Sequence, residues 1–468
     1  MKIRSLIGII IVSAISLLLA GCGGSTTTSS SLTPGSVPVS LTIGDTPPSG
    51  VSVLSFEIEV TGAVLQQSGN TVSLLNSPTD IELSNLQTGT TLLNTGGAPA
   101  GTYQSIQVTF ANAELTIQNN SGATIAGCAN GQVCELKPSI SQATATYSGA
   151  PFPLTLTANS PAGLALDFNL DQSIQGDLSI SPSISFTQLQ ATSESEGEQL
   201  DHFDDLSGTV MAVGNNQLTL QNASGKSFVI GVDSNTQYED FGQSGCTASN
   251  FSCLAQNQNL EVSVGLMSGG ALVAKEIQLE GDNNAEDLEG VVVSITSPTQ
   301  FNMVVLDEIP DITGIQVGNP ITVTIQSGAT FQVDNNIQLN IPSTDGFASA
   351  ADLMVGQEVQ VRRISTGSTG TTVATDQLTL KPSEITASVD AIQSSSAFTI
   401  NNLPGLFINA TPSVGQISVL TSSGTTYEDV SGVGGLSSGD SVSVKGLLYK
   451  TVTTPEVPDL VAEQVRKR

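Results

Sequence analysis

Apolar and polar residues alternate with a period of two through most of this chain. Between Val37 and Thr192 the segments VPVSLTI, VSVLSFEIEVTGAVL, YQSIQVTFANAELTI, FPLTLTA, GLALDFNLD and GDLSISPSISFTQL all read this way. Turn clusters such as GDTPPSG and NTGGAPAG separate them. In a strand, successive side chains point to opposite faces, so this alternation buries one face and wets the other. The pattern predicts an all-β protein that opens with an Ig-like β-sandwich over residues 37–192. No amphipathic helix longer than a turn or two is legible.

The segment 193–205, with its run SESEGEQLDHFDD, changes character and reads as an acidic linker. Past it the chain repeats itself. Leu206-Ser207-Gly208-Thr209-Val210, Leu288-Glu289-Gly290-Val291-Val292 and Ile385-Thr386-Ala387-Ser388-Val389 each open a unit. Every unit then has a second strand and a Thr-aromatic-acid stretch: Thr236 to Asp240, Thr330 to Asp334 and Thr426 to Asp429. A step built on a leucine, two residues and Gly-acid-or-amide follows, as Leu353 to Val359 and Leu436 to Val442; in the first unit it reads as degenerate, with Asn259 to Val262. Five or six strands per unit predict three small OB-like β-barrels over 206–282, 283–383 and 384–468, the second stretched by an insertion around Asp307 to Asn319.

Two resemblances emerge from these residues. Leu41 to Pro47, Asp80 to Leu86, Pro99-Ala100-Gly101-Thr102-Tyr103 with Ile106 to Val108, and Leu166 to Asn169 with Ser173-Ile174 resemble, in order, domain-of-unknown-function family 4382. That likeness implies a β-sandwich found on envelope lipoproteins, with no assigned activity. The repeats resemble domain-of-unknown-function family 5666, which implies OB-like barrels and again no assigned chemistry.

The opening of the chain departs from the alternation. Lys2 and Arg4 precede an apolar run from Leu6 to Ala20, too short to span a bilayer comfortably, and Leu19-Ala20-Gly21-Cys22 closes it. Residues 1–21 resemble a bacterial lipoprotein signal peptide, which implies lipidation (palmitate among the acyl chains) at Cys22. Residues 22–36, rich in Gly, Ser, Thr and Pro, read as a flexible tether. Gly23 and Gly24 stand where an inner-membrane retention signal carries Asp, so the resemblance implies the outer membrane.

Composition narrows the function classes. Lys and Arg number 13 against 42 Asp and Glu, giving a net charge of −29, so nucleic acid is an improbable partner. Of the five cysteines, Cys128, Cys134, Cys246 and Cys253 form two local pairs, expected to be disulfides in an exported chain. Against the metal alternative stand spacings longer than those of metal-binding cysteine pairs and a single histidine in the whole sequence. Asp201, His202, Asp204 and Asp205 read as flexible acidic linker, with a metal or acid-base cluster as the alternative, and the stretch Glu280 to Asp287 reads as solvated linker, with calcium stiffening these junctions as the alternative. Asp167, Asn169 and Asp171 read as one outward strand face.

Tyr238, Phe331 and Tyr427 recur at one repeat position and are the candidate ligand-binding residues, stacking a ligand or plugging a core. The absence of Trp lowers a lectin reading. Gly435 to Gly439 spells GxSxG, but within the repeat's own turn and with no histidine downstream. No catalytic residue, cofactor or metal is expected, and carboxylate-only hydrolysis is the remaining enzymatic option. The expected role is a non-catalytic scaffold or adhesin-like envelope protein, with a membrane contact through lipid and a protein or glycan partner; carbohydrate or small-ligand binding is the alternative.

Overall fold

The computed structural model describes residues 36–46, 52–75, 77–84, 86–158, 160–189, 191–194, 197–222, 225–239, 241, 246, 248–267, 270–280, 286–309, 312–334, 339–343, 345–451 and 457–468. The leader, Cys22 and the tether as far as residue 35 lie outside the described residues.

The alternating segments of the first domain form two facing sheets. One has the order β6 (Ile184–Leu189), β5 (Ala162–Asn169), β1 (Ser36–Thr46), β3 (Thr91–Pro99), with β1 parallel to β5. The other is built on the long pair β2 (Ser52–Gln67) and β4 (Ser105–Gln118), widened by short strands at 70–73, 79–82, 133–136 and 144–147. Inward positions such as Leu41, Ile43, Phe56, Ile58 and Leu164 are fully buried, each contributing about 1.5–3 kcal/mol. Phe168 lies at the centre, 5.7 Å from Phe56 and edge-on to Phe110 at 5.2 Å. The Pro99–Tyr103 stretch is a corner, in which the buried Tyr103 hydroxyl donates to the Pro99 carbonyl at 2.8 Å. The chain turns there with its polar tip satisfied. Asn169 proves to be a helix cap, its side chain accepting from Gln172 N ahead of the turn Leu170–Ser173.

Each repeat closes into a five-stranded ring in the order one, two, three, five, four. In the first barrel these are β7 (Gly197–Gly214), β8 (Gln217–Gln221), β9 (Ser227–Gly231), β10 (Asn259–Met267) and β11 (Leu272–Glu280). The second has β12 (Glu286–Ser297), β13 (Gln300–Ile309), β14 (Pro320–Val333), β15 (Glu358–Thr369) and β16 (Thr372–Lys381), and is fully closed. The third has β17 (Ser383–Ser394), β18 (Ala397–Asn401), β19 (Ile417–Leu420), β20 (Ser441–Tyr449) and β21 (Asp459–Lys467). The third and fifth strands of every ring pair in parallel. A short 3-10 turn precedes the fourth strand in each: Phe251–Cys253, Ala350–Asp352 and Val433–Gly435.

Cys128 and Cys134 are bonded, as are Cys246 and Cys253, with Cα atoms 5.9 and 5.6 Å apart.

One expectation is corrected. The segment 193–205 is not a linker coil: residues 191–194 pair with 197–200, and β7 continues along β10, Gln199 opposite Met267 and Phe203 opposite Val264. Acidic and serine residues have low strand propensity, which hid this strand; the backbone edge offered by β10 overrides propensity.

The domains also meet along extensive seams. Leu92 of the sandwich lies in the first barrel's core, and Lys226 Nζ donates to the Leu93 carbonyl at 2.5 Å. The insertion after Asp307 has a definite role, because its turn carries Gly318 and Asn319 onto the sandwich. Thr116 Oγ1 donates to Gly318 O at 2.7 Å, and Asn319 Nδ2 to Glu135 at 2.7 Å. Leu447, Tyr449 and Val461 of the third barrel belong to the second barrel's core. Leu54, Val293, Val304 and Leu406 join sandwich, second and third barrels in one apolar node.

Candidate functional site

The repeated turn before the fourth strand is the same device three times. In the second barrel Gly356 N donates to Val292 O and Val292 N to Gln357 O, both 2.8 Å. Gly439, Val389 and Asp440 make the same two bonds in the third barrel, and Asn257, Val210 and Gln258 in the first. The turn residue needs positive φ, which Gly356 and Gly439 supply freely; Asn257 adopts φ 69° as the side chain that tolerates it best. The following side chain then caps the turn: Gln258 accepts from Ala255 N, Gln357 from Met354 N and Asp440 from Ser437 N, each at 2.7 Å. The first repeat is thus complete at this step over Leu254 to Leu260, with Asn replacing Gly. The GxSxG string of residues 435–439 is part of the third copy of this turn.

The recurring aromatics sit side by side with the fifth strand of each ring. Tyr238 is opposite Ile277, Phe331 opposite Leu378 and Tyr427 opposite Val465. All three are half-buried. Tyr238 meets Phe241 edge-on at 6.2 Å, Phe331 meets Phe347 at 5.5 Å, and Tyr427 packs on the third barrel's core. The threonine two residues before each tyrosine is structural: Thr236 and Thr425 donate to the carbonyls of Ala274 and Ala462 at 2.8 and 2.7 Å.

Another repeat position points outward. Val213, Ile295 and Ile392, each three residues after the valine that grips the turn, are 37–42 % exposed. Each lies opposite a buried residue on the second strand, Leu218, Phe301 or Phe398, beside the loop joining strands one and two. The alternation pattern assigned these residues to no face; repeat alignment from Val210, Val292 and Val389 was the signal that could have found them.

The stretch Glu280 to Asp287 is not solvated at its ends, since Glu280 and Asp287 are buried; residues 281–285 lie outside the described residues, as do the side chains of Asp201, His202, Asp204 and Asp205. Glu280 faces Lys381, whose ammonium lies 2.7 Å from Asp334, 3.7 Å from Glu280 and 3.8 Å from Glu289. Burial opposes the lysine charge, yet the three carboxylates outweigh it and hold Lys381 well above its ordinary value. No sequence signal could find this cluster, because its members come from separate strands of two barrels.

On the sandwich, a groove of about 520 Å³ is lined by Phe110, Asn112, Glu114, Lys137, Pro138 and Ile140, among others. Asn112, at φ 47°, marks a bulge in β4 and donates to Glu59 at 2.7 Å. Beside it Glu57 faces Glu82 and Glu114 across both neighbouring strands. Burial and the charges of Glu82, Asp80 and Glu114 push Glu57 up to about 7. Among the described residues, no group of three or more His, Cys, Asp or Glu side chains is arranged to hold a metal ion.

Residues 36–182 match the family model Domain of unknown function (DUF4382), and residues 207–278 and 386–452 match Domain of unknown function (DUF5666). The chain carries a DUF4382 domain followed by DUF5666 repeats. No curated protein matches it. The two matched DUF5666 segments are the first and third barrels. The second barrel shares their ring order and their turn, with Ala329 in place of the structural threonine and with its aromatic stretch, a separate short strand at Gln237–Glu239 and Thr426–Glu428 in the others, fused into β14. The DUF4382 match covers the sandwich through its Pro99–Tyr103 corner and the β1–β5 parallel pair.

Proposed function

We propose that this DUF4382–DUF5666 protein is a non-catalytic scaffold of the bacterial cell envelope. Lipid on Cys22 would hold it at the outer membrane, and its β-domains would present surfaces to protein partners in an adhesin-like manner. The observation that carries this reading is the triplicated exposed apolar position, Val213, Ile295 and Ile392, on barrels whose other recurring residues are taken up by turns and packing. Isolated apolar side chains backed by a rigid barrel are suited to be interface anchors, where a few well-supported residues supply most of the affinity. The seams between domains favour presentation as one body.

Cell fractionation tests the anchor: Cys22→Ser should move the protein from the membrane to the soluble fraction and abolish labelling by palmitate. Capture from detergent-solubilised envelopes tests the role, with a specific protein partner as the expected result; recovery of none speaks against a scaffold.

A second reading, carbohydrate or small-ligand binding, draws on the groove between Phe110 and Ile140, where apolar walls meet the polar groups of Asn112, Glu114 and Lys137. Barrels of this topology also serve elsewhere as ligand carriers on their second and third strands, an analogy of fold alone. A glycan array and a thermal-shift screen that both stay blank for the wild type remove this reading.

A further inference from the structure

The residue after each turn-gripping valine is the extra residue of a β-bulge in the first strand of its ring: Met211, Val293 and Asp390. Beside each bulge the register sets one outward row across strands one, two and three. In the second barrel the row is Ser294, Asn302 and Thr322. Asn302 Nδ2 donates to Ser294 at 2.9 Å and Thr322 Oγ1 to Asn302 at 2.8 Å. In the third it is Ala391, Thr399 and Ser418, next to Asp390, which accepts from Asn401 at 2.8 Å and Gln416 at 2.7 Å. The first barrel has Ala212, Thr219 and Val229, with Met211 alongside. Met211 and Val229 are each 41 % exposed. Two sibling barrels build this row largely from polar groups, so the ring itself does not require apolar side chains there.

The bulge position is already a docking position within this chain. Val293 is 6 % exposed and shares its apolar node with Leu54 of the sandwich and Leu406 of the third barrel. Leu406 belongs to the short helical turn Gly405–Ile408, whose Phe407 lies over Gly356 of the second barrel. Ile408 ends that turn and is 50 % exposed, the most exposed large apolar side chain among the described residues. Charge singles out the same two surfaces. No charged residue occurs from Leu206 to Gly225 or from Ala391 to Tyr427, in a chain of net charge −29. Like-charged copies repel over the rest of their surface, so contact between them is favoured where neither face brings charge.

We propose that the Met211–Val229 face of one copy receives the Ile408 turn of a second copy, joining the chains head to tail. Ile408 would cover the first barrel's bulge as Leu406 covers the second's. Such a contact is heterologous: a joined pair keeps one unused Ile408 turn and one unused Met211 face, so further copies can add. Self-association of this kind needs neither the lipid nor an envelope protein, so it and the scaffold reading can fail independently.

Sedimentation of the full mature chain, made lipid-free by Cys22→Ser, tests this in about 0.5 M salt, which screens the net charge. The chain should associate progressively as its concentration rises to roughly 0.1 mM, and more weakly in low salt. Met211→Asp with Val229→Asp should weaken association about tenfold or more, and so should Ile408→Asp, with melting temperatures unchanged. An equimolar mixture of the double variant and I408D should form pairs that grow no further, because each supplies the surface the other lacks. If the double variant does not fold, V229C mixed with I408C decides: mild oxidation should link unlike chains, and V229C alone should not link to itself. A wild type that stays monomeric, a mixture that forms no pairs, or association that survives I408D, as face-to-face pairing through Met211 would give, overturns the proposal.

Discussion

The ring of Phe407, in the third barrel, occupies the space that any side chain on Gly356, in the second, would need. A Cβ on Gly356 would lie 2.2 Å from Phe407 Cζ, and the backbone there has φ +89°. The turn glycine therefore serves two purposes: it supplies the left-handed conformation, and it makes the flat spot on which the next barrel docks. Gly439 has the same conformation with nothing near its missing side chain. Gly356→Ala should accordingly cost about 2–5 kcal/mol, from backbone strain plus the clash. Gly439→Ala should cost only the strain, about 1–2 kcal/mol. Urea denaturation of both variants checks the difference. Adding Phe407→Ala to G356A should cost less than the sum of the single changes, since removing the ring removes the clash the new methyl makes.

That contrast marks the boundary of what the sequence reveals. The period-two text predicted a sandwich and three barrels because one-face burial writes itself into alternate residues, as from Phe56 to Val60 or Phe398 to Ile400. The local cysteine pairs predicted their own bonds. Contacts between distant segments leave no such periodic trace. Nothing near Gly356 announces Phe407, and nothing near Glu280 announces Lys381. The first repeat's turn was missed because Asn257 stands in for glycine, a substitution that backbone geometry reveals and letter matching does not. The start of β7 at Gly197 was missed because its residue types favour coil and its partners, residues 191–194 and β10, make it a strand.

Glu384 is the latch between sandwich and third barrel. Its carboxylate accepts from Gln87 N at 2.7 Å and from Thr88 Oγ1, while Thr386 Oγ1 donates to Gln87 Oε1 at 2.8 Å. Replacing one oxygen by an amide, as in Glu384→Gln, turns an acceptor into a donor facing a donor. The cost should be about 1.5–3 kcal/mol, the range for hydrogen bonds to a charged group. Hydrogen exchange should place the loss at residues 86–90 first. Equal exchange there in wild type and variant would show that the latch is passive.

Glu57 gives a pH dependence of definite sign on the sandwich. Its folded carboxyl titrates at about 7 because burial, then Glu82, Asp80 and Glu114, disfavour its charge. The folded state holds the proton to higher pH than the unfolded chain, so stability falls as pH rises from about 4.5 to 7 and then levels. Glu57→Gln abolishes this contribution. The variant should match wild type near pH 4 and exceed it at pH 8 by about 1–2 kcal/mol, after allowance for solvent screening. Denaturation midpoints at the two pH values check it, and a variant weaker than wild type at pH 8 contradicts the assignment.

The exposed apolar triplet separates an interface from a structural rim. Val213, Ile295 and Ile392 retain 37, 41 and 42 % of their surface in contact with solvent, so serine in all three places removes little buried area. Stability should change by less than about 0.5 kcal/mol per site, as for surface substitutions away from special features. If these residues anchor a partner, the triple variant should lose capture from solubilised envelopes while keeping the wild-type melting temperature. Single variants should show graded losses, because three equivalent weak contacts on one rigid body act through effective concentration rather than singly. A triple variant that melts several degrees lower yet still captures the partner would identify the position as barrel packing and move the search for the interface to the groove beside Asn112.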